Sequence, residues 1–427
     1  MGLALIFGVF ALCLIAGVPV AFCLGVAAVV GFVYEGLPLF IAFQRIVSGI
    51  SIFSLLAVPF FIFAGELMLQ GGIAARLVRL ASSAVGWMRG GLGVVNVASS
   101  MLFGGISGSA VADTSALGSI LMPVMKEKGY DADYAVNVTV TSSIAGVVIP
   151  PSHNMILYAV AAGGVPISQL FLAGVAPGVL MCLCLAVAAW LVAVRRGYPA
   201  EPFPGFASLA VSFIVALPGL LTAVIIVGGV LSGIMTVTES GAFGAIYAVV
   251  VTALVYRELS WERFRAAVLV SVRTTAMVMI LVACATAFAY LLTLNRVPDL
   301  LAGFVLSISE SEFVVLLLLN LTLLALGMIM DMAALILITT PIFLPIVVDM
   351  GMSPVQFGIV MMMNLGLGLT TPPVGACLFV GCVVGGERME NVVRTIWPFY
   401  LAILTALLLV TYVPAISLGL GRWIGAE

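Results

Sequence analysis

The sequence predicts an all-α, polytopic membrane protein built from two inverted-topology repeats, each holding a re-entrant helical hairpin and a broken transmembrane helix. Three observations predict this fold: the composition, two interruptions of apolar stretches, and the recurrence of those interruptions at a fixed spacing. Of the 427 residues, 63% are hydrophobic and 8% are charged, whereas soluble domains carry about 25% charged residues. A soluble fold could not bury so much apolar surface.

The first interruptions are the Gly-Gly-Ile-Ser-Gly-Ser segment at 104–109 and Pro150-Pro151. Each Gly in a helix interior costs about 1 kcal/mol relative to Ala, and Pro removes a backbone donor. In lipid, unsatisfied backbone groups persist only where protein or a water-filled cavity covers them. Broken helices at membrane depth are typical of the binding sites of transporters.

The interruptions recur when the chain is shifted by 222 positions, which lays Pro150-Pro151 on Pro372-Pro373. Such internal periodicity indicates a duplicated unit. Other matches in the same register are Gly105 with Gly327, Pro123 with Pro345, Gly129 with Gly351, and Gly146 with Gly368.

Charge and length predict how the two copies lie in the bilayer. Lys126 follows the first interrupted stretch, and basic flanks favour the cytoplasm, whereas Glu312 and Asp349 flank the second copy. About 15 residues separate Gly90 from the first tip, or roughly 22 Å of helix, which is less than a ~30 Å hydrocarbon core. We therefore expect re-entrant hairpins that face opposite sides.

These observations divide the chain into two repeats. We expect residues 2–31 to form one retained span. The expected segments are a first repeat at 1–196 (scaffold spans and arm helix 1–88, hairpin 89–126, broken helix 132–163, span 168–195), a linker and connecting span at 197–233, and a second repeat at 234–427 (arm helix 259–271, hairpin 312–349, broken helix 353–385, last span 392–418).

The candidate site residues lie at the breaks, where freed carbonyls and hydroxyls can ligate Na⁺ and half-helix N-termini favour an anion. Hard cations prefer oxygen ligands. The Na⁺ candidates are Ser107, Ser109, Gly146, Val147, Pro150, Gly327, Gly368, Thr370 and Thr371. The substrate candidates are Ser109, Asp113, Ser152, His153, Asp331 and Asn364.

Structural alternatives remain open for these residues. Ser and Gly often serve close helix packing in membranes. An intramembrane carboxylate indicates function, yet Asp113 and Asp331 could each cap a half-helix. His153 could be a buried structural imidazole. Glu66, near a span end, is expected to be solvated.

Several function classes are disfavoured. The net charge of −2 gives no indication of a nucleic-acid partner, and the seven Cys are scattered, which favours buried thiols over a metal site. No Walker motif is present, so ATP does not drive this chain directly. The single His and the lack of a hydrolase motif argue against an enzyme.

The motifs GGISGSAVADTSALGSILMPVMKEKGY, IPPSHNMILYAVAAGG and TPPVGACLF resemble the large membrane (DctM-type) subunit of tripartite ATP-independent periplasmic (TRAP) transporters. The resemblance implies an elevator-type, ion transporter superfamily-like fold in the bacterial inner membrane, with arm helices at 37–48 and 259–271. It implies Na⁺ as the coupling ion, which drives import of an organic acid such as a C4-dicarboxylate, sialic acid or keto acid.

The resemblance also implies two protein partners: a small four-helix membrane subunit on a separate chain, and a periplasmic substrate-binding protein. Three alternatives remain. A stand-alone carrier would need no binding protein, a channel would need a continuous polar path, and a scaffold protein would tolerate substitution at both breaks.

Overall fold

The computed structural model describes residues 2–309 and 311–424, and this part of the chain is helical without strands. Met1 and residues 425–427, at the ends of the two predicted repeats, lie outside the described residues. Helices satisfy every backbone group internally, which lipid requires. The first-half helices are α1 (Gly2–Ile15), α2 (Val20–Tyr34), α3 (Leu39–Ile50), α4 (Ala57–Gln70), α5 (Ile73–Val85), α6 (Gly91–Ser107), α7 (Ala110–Glu127), α8 (Ala132–Ser142), α9 (Ala145–Val148), α10 (His153–Ala161) and α11 (Ile167–Arg195).

The remaining helices follow the linker at 197–205. They are α12 (Phe206–Leu231), α13 (Val237–Val250, continued by a π turn to Val255), α14 (Trp261–Leu294), α15 (Val297–Ile308), α16 (Glu312–Gly327), α17 (Met332–Asp349), α18 (Pro354–Leu369), α19 (Ala376–Gly385), α20 (Met389–Thr395), α21 (Trp397–Tyr412) and α22 (Pro414–Ile424).

The N-terminal segment is a helical hairpin, so the prediction of one span over residues 2–31 is wrong. A Cβ on Gly31 would lie 3.0 Å from Ile6 Cδ1, and one on Gly2 would lie 2.9 Å from Tyr34 Cε1, which fixes α1 and α2 as antiparallel neighbours. Gly17, at φ +77°, ends the first helix, and Pro19 precedes the second. A glycine adopts positive φ without steric cost, and Pro favours the start of a helix.

Helix bounds recur at the spacing seen in the sequence. Adding 222 to the bounds of α7 (110–127) gives those of α17 (332–349). The same addition places α10 over α19 within a few residues, and both Pro-Pro pairs are cis. The two halves therefore share a helix pattern around their breaks.

The halves differ at two places, where the predicted boundaries need correction. The expected arm helix 259–271 is the beginning of the continuous 34-residue α14, because no Gly or Pro interrupts it. The first half instead has a 3₁₀ turn, Phe53–Leu56, between α3 and α4. The expected last span 392–418 is also wrong as a single helix, because α20 and α21 meet at 56° and α22 begins at Pro414.

The chain is a multi-pass membrane protein. Six helices in the described part are long and apolar enough to cross a bilayer, or up to eight if each of two bent helix pairs counts as one span. One bent pair is the predicted broken helix, α8–α9 with α10, which turns by 51° at the Pro-Pro break. Helix α4 packs against α13 and α14 and also against the first hairpin, so it separates the outer helices from the broken ones.

Candidate functional site

A cavity of about 690 Å³ lies where the two hairpin tips approach α2, α4 and α14. From the tips it receives Ser107, Ser109, Asp331 and Met332, and from the broken helix Val147 and His153. The opposite wall is largely apolar. Both halves of the chain therefore contribute to one cavity.

The first hairpin tip is shaped by Gly108 and Ser109. Gly108 has φ +64° and ends α6. Ser109 is extended and caps α7, since its hydroxyl accepts a hydrogen bond from Ala112 N at 3.4 Å. A Cβ on Gly108 would lie 3.2 Å from the Pro151 carbonyl oxygen and 3.6 Å from His153 Nδ1. The tip is therefore packed directly against the first Pro-Pro break.

Asp113 is fully buried behind this tip. The Ser107 hydroxyl donates a hydrogen bond to Asp113 Oδ1, but Oδ2 has no hydrogen-bond partner among the described residues. Gly146 packs directly on this carboxylate, and a Cβ on Gly104 would lie 2.8 Å from Gly146 N. Asp113 therefore does not cap α7, and it presents a free carboxylate oxygen beside a backbone contact between α6 and the break.

Asp331 has a different role at the second tip. It is the N-cap of α17, and its Oδ2 accepts a hydrogen bond from Ala333 N at 2.9 Å. Its carboxylate also lines the cavity. The capping alternative is thus correct for Asp331 and wrong for Asp113.

The second break has its own close backbone contact. A Cβ on Gly368 would lie 2.6 Å from Gly327 Cα, so α16 and α18 touch through bare glycine backbone. Asn364, one turn earlier on α18, is fully buried and lies outside the cavity lining. Its amide donates to Asn320, and its Oδ1 has no partner among the described residues.

Thr370 and Thr371 turn their hydroxyls back onto their own helix. Both donate to the Leu367 carbonyl, at 2.8 and 2.7 Å. The Thr370 carbonyl in turn accepts a hydrogen bond from the Tyr400 hydroxyl at 2.5 Å. Sequence reasoning missed Tyr400, because it lies on α21, 30 residues away, with no local signal.

The structure brings some of the predicted residues together and separates others. Those that line the cavity are Ser107, Ser109, Val147, His153 and Asp331. Those outside its lining are Asp113, Gly146, Pro150, Ser152, Gly327, Asn364, Gly368, Thr370 and Thr371. Ser152 is fully buried, and its hydroxyl has no partner among the described residues.

Sequence reasoning did not assign four polar lining residues to the site: Ser115 on α7, Asn154 on α10, Thr274 on α14 and Glu66 on α4. Glu66, which is expected to be solvated near a span end, is partly exposed and faces the cavity. A lone Glu inside the apolar run of α4 was the available signal, because intramembrane carboxylates rarely occur without a function.

Helix ends in the cavity lining attract an anion, whereas Glu66 and Asp331 add carboxylates to the same lining. Three helices begin there, at Ala110 of α7, His153 of α10 and Met332 of α17, and Asp331 already caps α17. A helix N-terminus carries a partial positive charge and free N–H groups. The described lining residues include no Lys or Arg. Helix ends therefore take the place of a basic side chain.

A polytopic helical fold with broken helices around one such cavity defines a membrane transporter. The chain belongs to the family of DctM components of tripartite ATP-independent periplasmic transporters, whose sequence profile matches residues 7–416. It is a permease subunit and not an enzyme, as the sequence predicts.

Named relatives agree with this assignment, and a solved structure is similar in fold. The chain is 39% identical over 373 residues to the C4-dicarboxylate TRAP transporter large permease protein DctM of Pseudomonas aeruginosa, covering 87% of each chain. It is 37% identical over 410 residues to the sialic acid TRAP transporter large permease protein SiaM of Vibrio cholerae, covering 95% of each. The crystal structure of the Alcanivorax borkumensis YdaH transporter is similar in fold, with a TM-score of 0.64 at 15% identity, over 91% of this chain and 89% of that one.

Proposed function

We propose that this chain is the Na⁺-coupled permease subunit of an importer for an organic acid in the bacterial inner membrane. Its proposed partners are a small four-helix membrane subunit and a periplasmic substrate-binding protein. Relatives named for C4-dicarboxylate and for sialic acid support a carboxylate cargo. The N-termini of α7 and α10, which no carboxylate caps, support an anion on independent physical grounds.

One observation carries the proposal of Na⁺ coupling. Each half of the chain has a buried acceptor oxygen without a donor, close to a contact between bare glycine backbones. In the first half it is Asp113 Oδ2 beside Gly146, and in the second it is Asn364 Oδ1, one turn before Gly368. A buried polar atom without a partner costs about 1–3 kcal/mol. A bound cation removes that cost.

The same oxygens explain how ions and an anion could be coupled. Asp113 and Asp331 place negative charge at or behind the tips, which opposes an incoming organic anion. Cations bound at the breaks offset this charge and hold each tip against its break. Since a ligand shifts an equilibrium only through differential affinity, ions that favour the ordered tips favour substrate binding.

The test is uptake by the complete complex in proteoliposomes. The permease, the small subunit and the binding protein are reconstituted, and the substrate is found by screening organic acids against the binding protein. We expect uptake with an inward Na⁺ gradient and none with an equal K⁺ gradient. Uptake that needs no Na⁺ contradicts the coupling, and undiminished uptake without the binding protein supports the stand-alone carrier instead.

The inverted arrangement of the repeats and the elevator movement are part of the same proposal. The matching bounds of α7 and α17 support a duplicated hairpin. Glu127 and Asp349 are the last residues of these helices, and both are exposed. Glu127→Cys is expected to react with an impermeant maleimide only from the cytoplasmic side, and Asp349→Cys only from the outer side. Labelling of both from one side contradicts the inversion.

A further inference from the structure

Glu66 occupies a defined place on the wall of the cavity. It follows Gly65 on α4, and a Cβ on Gly65 would lie 3.2 Å from the carbonyl oxygens of Ile106 and Ser107. Helix α4 therefore touches the backbone of the first tip at this level. Glu66 lines the same cavity as Ser109 and His153.

The surroundings of Glu66 leave its carboxylate without a protein partner. The neighbouring lining of α2, α4 and α14 is mainly apolar, with Phe22, Ile62 and Leu281 as examples. Among the described residues, no hydrogen-bond donor or cation pairs with the Glu66 carboxylate, and no Lys or Arg lines the cavity. The other lining carboxylate, Asp331, is engaged as a helix cap.

The cavity lining thus includes groups of opposite character. The helix N-termini of α7 and α10 favour a carboxylate. Glu66 presents a hydrogen-bond acceptor with negative charge, so it favours a hydroxyl or an amine and opposes a second carboxylate. Charge-assisted hydrogen bonds are about twice as strong as neutral ones, and like-charge repulsion is a common device for rejecting the wrong ligand.

We infer that Glu66 is a specificity-determining residue that selects organic acids with one carboxylate and additional hydrogen-bond donors, and rejects dicarboxylates. The inference rests on the proposed function and makes its cargo class specific. The cavity volume of about 690 Å³ lies within the ~300–1,000 Å³ of small-molecule sites, so a polyhydroxylated acid has room.

The test compares matched acids as competitors of uptake by the reconstituted complex. Gluconate and adipate both have six carbons, and glycerate and malonate both have three; the first of each pair is a hydroxylated monocarboxylate and the second a dicarboxylate. The substrate is the acid found with the binding protein. In the wild type we expect the hydroxylated acid to compete at least tenfold better in each pair. Glu66→Gln is expected to reduce that preference about tenfold. Glu66→Asp is expected to keep the preference for the hydroxylated acid.

Controls separate this inference from the proposed function and from misfolding. Glu262→Gln removes an exposed glutamate at the start of α14 that lies outside the cavity lining, and the preference is expected to stay unchanged. If wild type and Glu66→Gln show the same preference for hydroxylated acids, the inference is overturned, and the proposed function of organic-acid uptake is unaffected. A changed Na⁺ requirement with unchanged preference also overturns it, since Glu66 would then hold a cation. If no organic acid is transported at all, the proposed function fails, and the inference with it.

Discussion

Asn364 on α18 donates hydrogen bonds to both oxygens of Asn320 on α16, at 2.9 Å to the backbone carbonyl and 2.7 Å to the side chain. These bonds fix the amide, so that Asn364 Oδ1 is the atom left without a partner. The residue predicted from the sequence to contact substrate is therefore oriented as a candidate ion ligand.

Asn364→Leu is expected to raise the Na⁺ concentration for half-maximal uptake at least tenfold, because it removes this oxygen. The measurement is Na⁺-dependent uptake in proteoliposomes. Gln356→Leu is the matched control: Gln356 is a buried amide two turns earlier on α18 that donates to the Val410 carbonyl at 3.1 Å. It should lower stability without changing the Na⁺ requirement. An equal shift in both variants would assign Asn364 a packing role.

Ser107→Ala and Asp113→Asn should both raise the Na⁺ requirement, the second more strongly. Ser107 donates to Asp113, so its removal only disorders the carboxylate, whereas Asp113→Asn removes the negative charge. Uptake against Na⁺ concentration distinguishes the two variants. Ser119→Ala, at an exposed serine of α7, is expected to behave as wild type. Unchanged Na⁺ dependence in Asp113→Asn would remove the first half from the proposed ion sites.

Gly368→Ala is expected to abolish transport and to destabilise the protein by about 1–3 kcal/mol, the usual cost of overpacking. The added methyl would lie 2.6 Å from Gly327 backbone atoms, which cannot move aside as a flexible side chain does. Gly228→Ala is the control, because a Cβ there meets nothing within 4 Å. Thermal unfolding in detergent and uptake are measured on both. Wild-type behaviour of Gly368→Ala would show that the contact is dispensable.

Arg196→Lys is expected to lower stability by about 1–2 kcal/mol, since Lys cannot form the two parallel bonds that Arg makes with a carboxylate. Arg196 bonds both oxygens of Asp133, at 2.9 and 2.8 Å, and also Asp131. Tyr198 completes this cluster; burial raises its pKa to about 12, so its hydroxyl stays protonated and donates to Asp131 at 2.7 Å.

The neighbouring Arg195 is exposed, so Arg195→Lys is a matched control that should leave the unfolding temperature unchanged. Equal unfolding temperatures for the two variants would mean that the Arg196 cluster does not tie the linker to α8.

The sequence predicts those parts of the fold that depend on local chemistry. Gly108 and the Pro-Pro pairs mark the breaks, because Gly adopts a positive φ without steric cost and Pro constrains the backbone. The predicted bounds 312–349 coincide with the start of α16 and the end of α17.

The parts that sequence reasoning missed depend on contacts between distant segments. Sequence reasoning did not find the α1–α2 hairpin, because the short Gly-Val-Pro turn lies within a stretch of about thirty apolar residues. Tyr400 reaches Thr370, and Asn320 reaches Asn364, across interhelical contacts that no local pattern records. The position of Glu66 at the cavity depends on where the first tip packs, and no local pattern in the sequence records that contact.

The uninterrupted α14 has a consequence for how the two halves tolerate change. One residue inserted between α3 and α4 falls in the irregular stretch 51–56, where the chain can bulge and leave the flanking helices in place. The same insertion in the middle of α14 rotates all later side chains of that helix by about 100°. Leu281 would then turn away from the cavity, so an insertion scan should find that the first half tolerates the insertion and the second half does not.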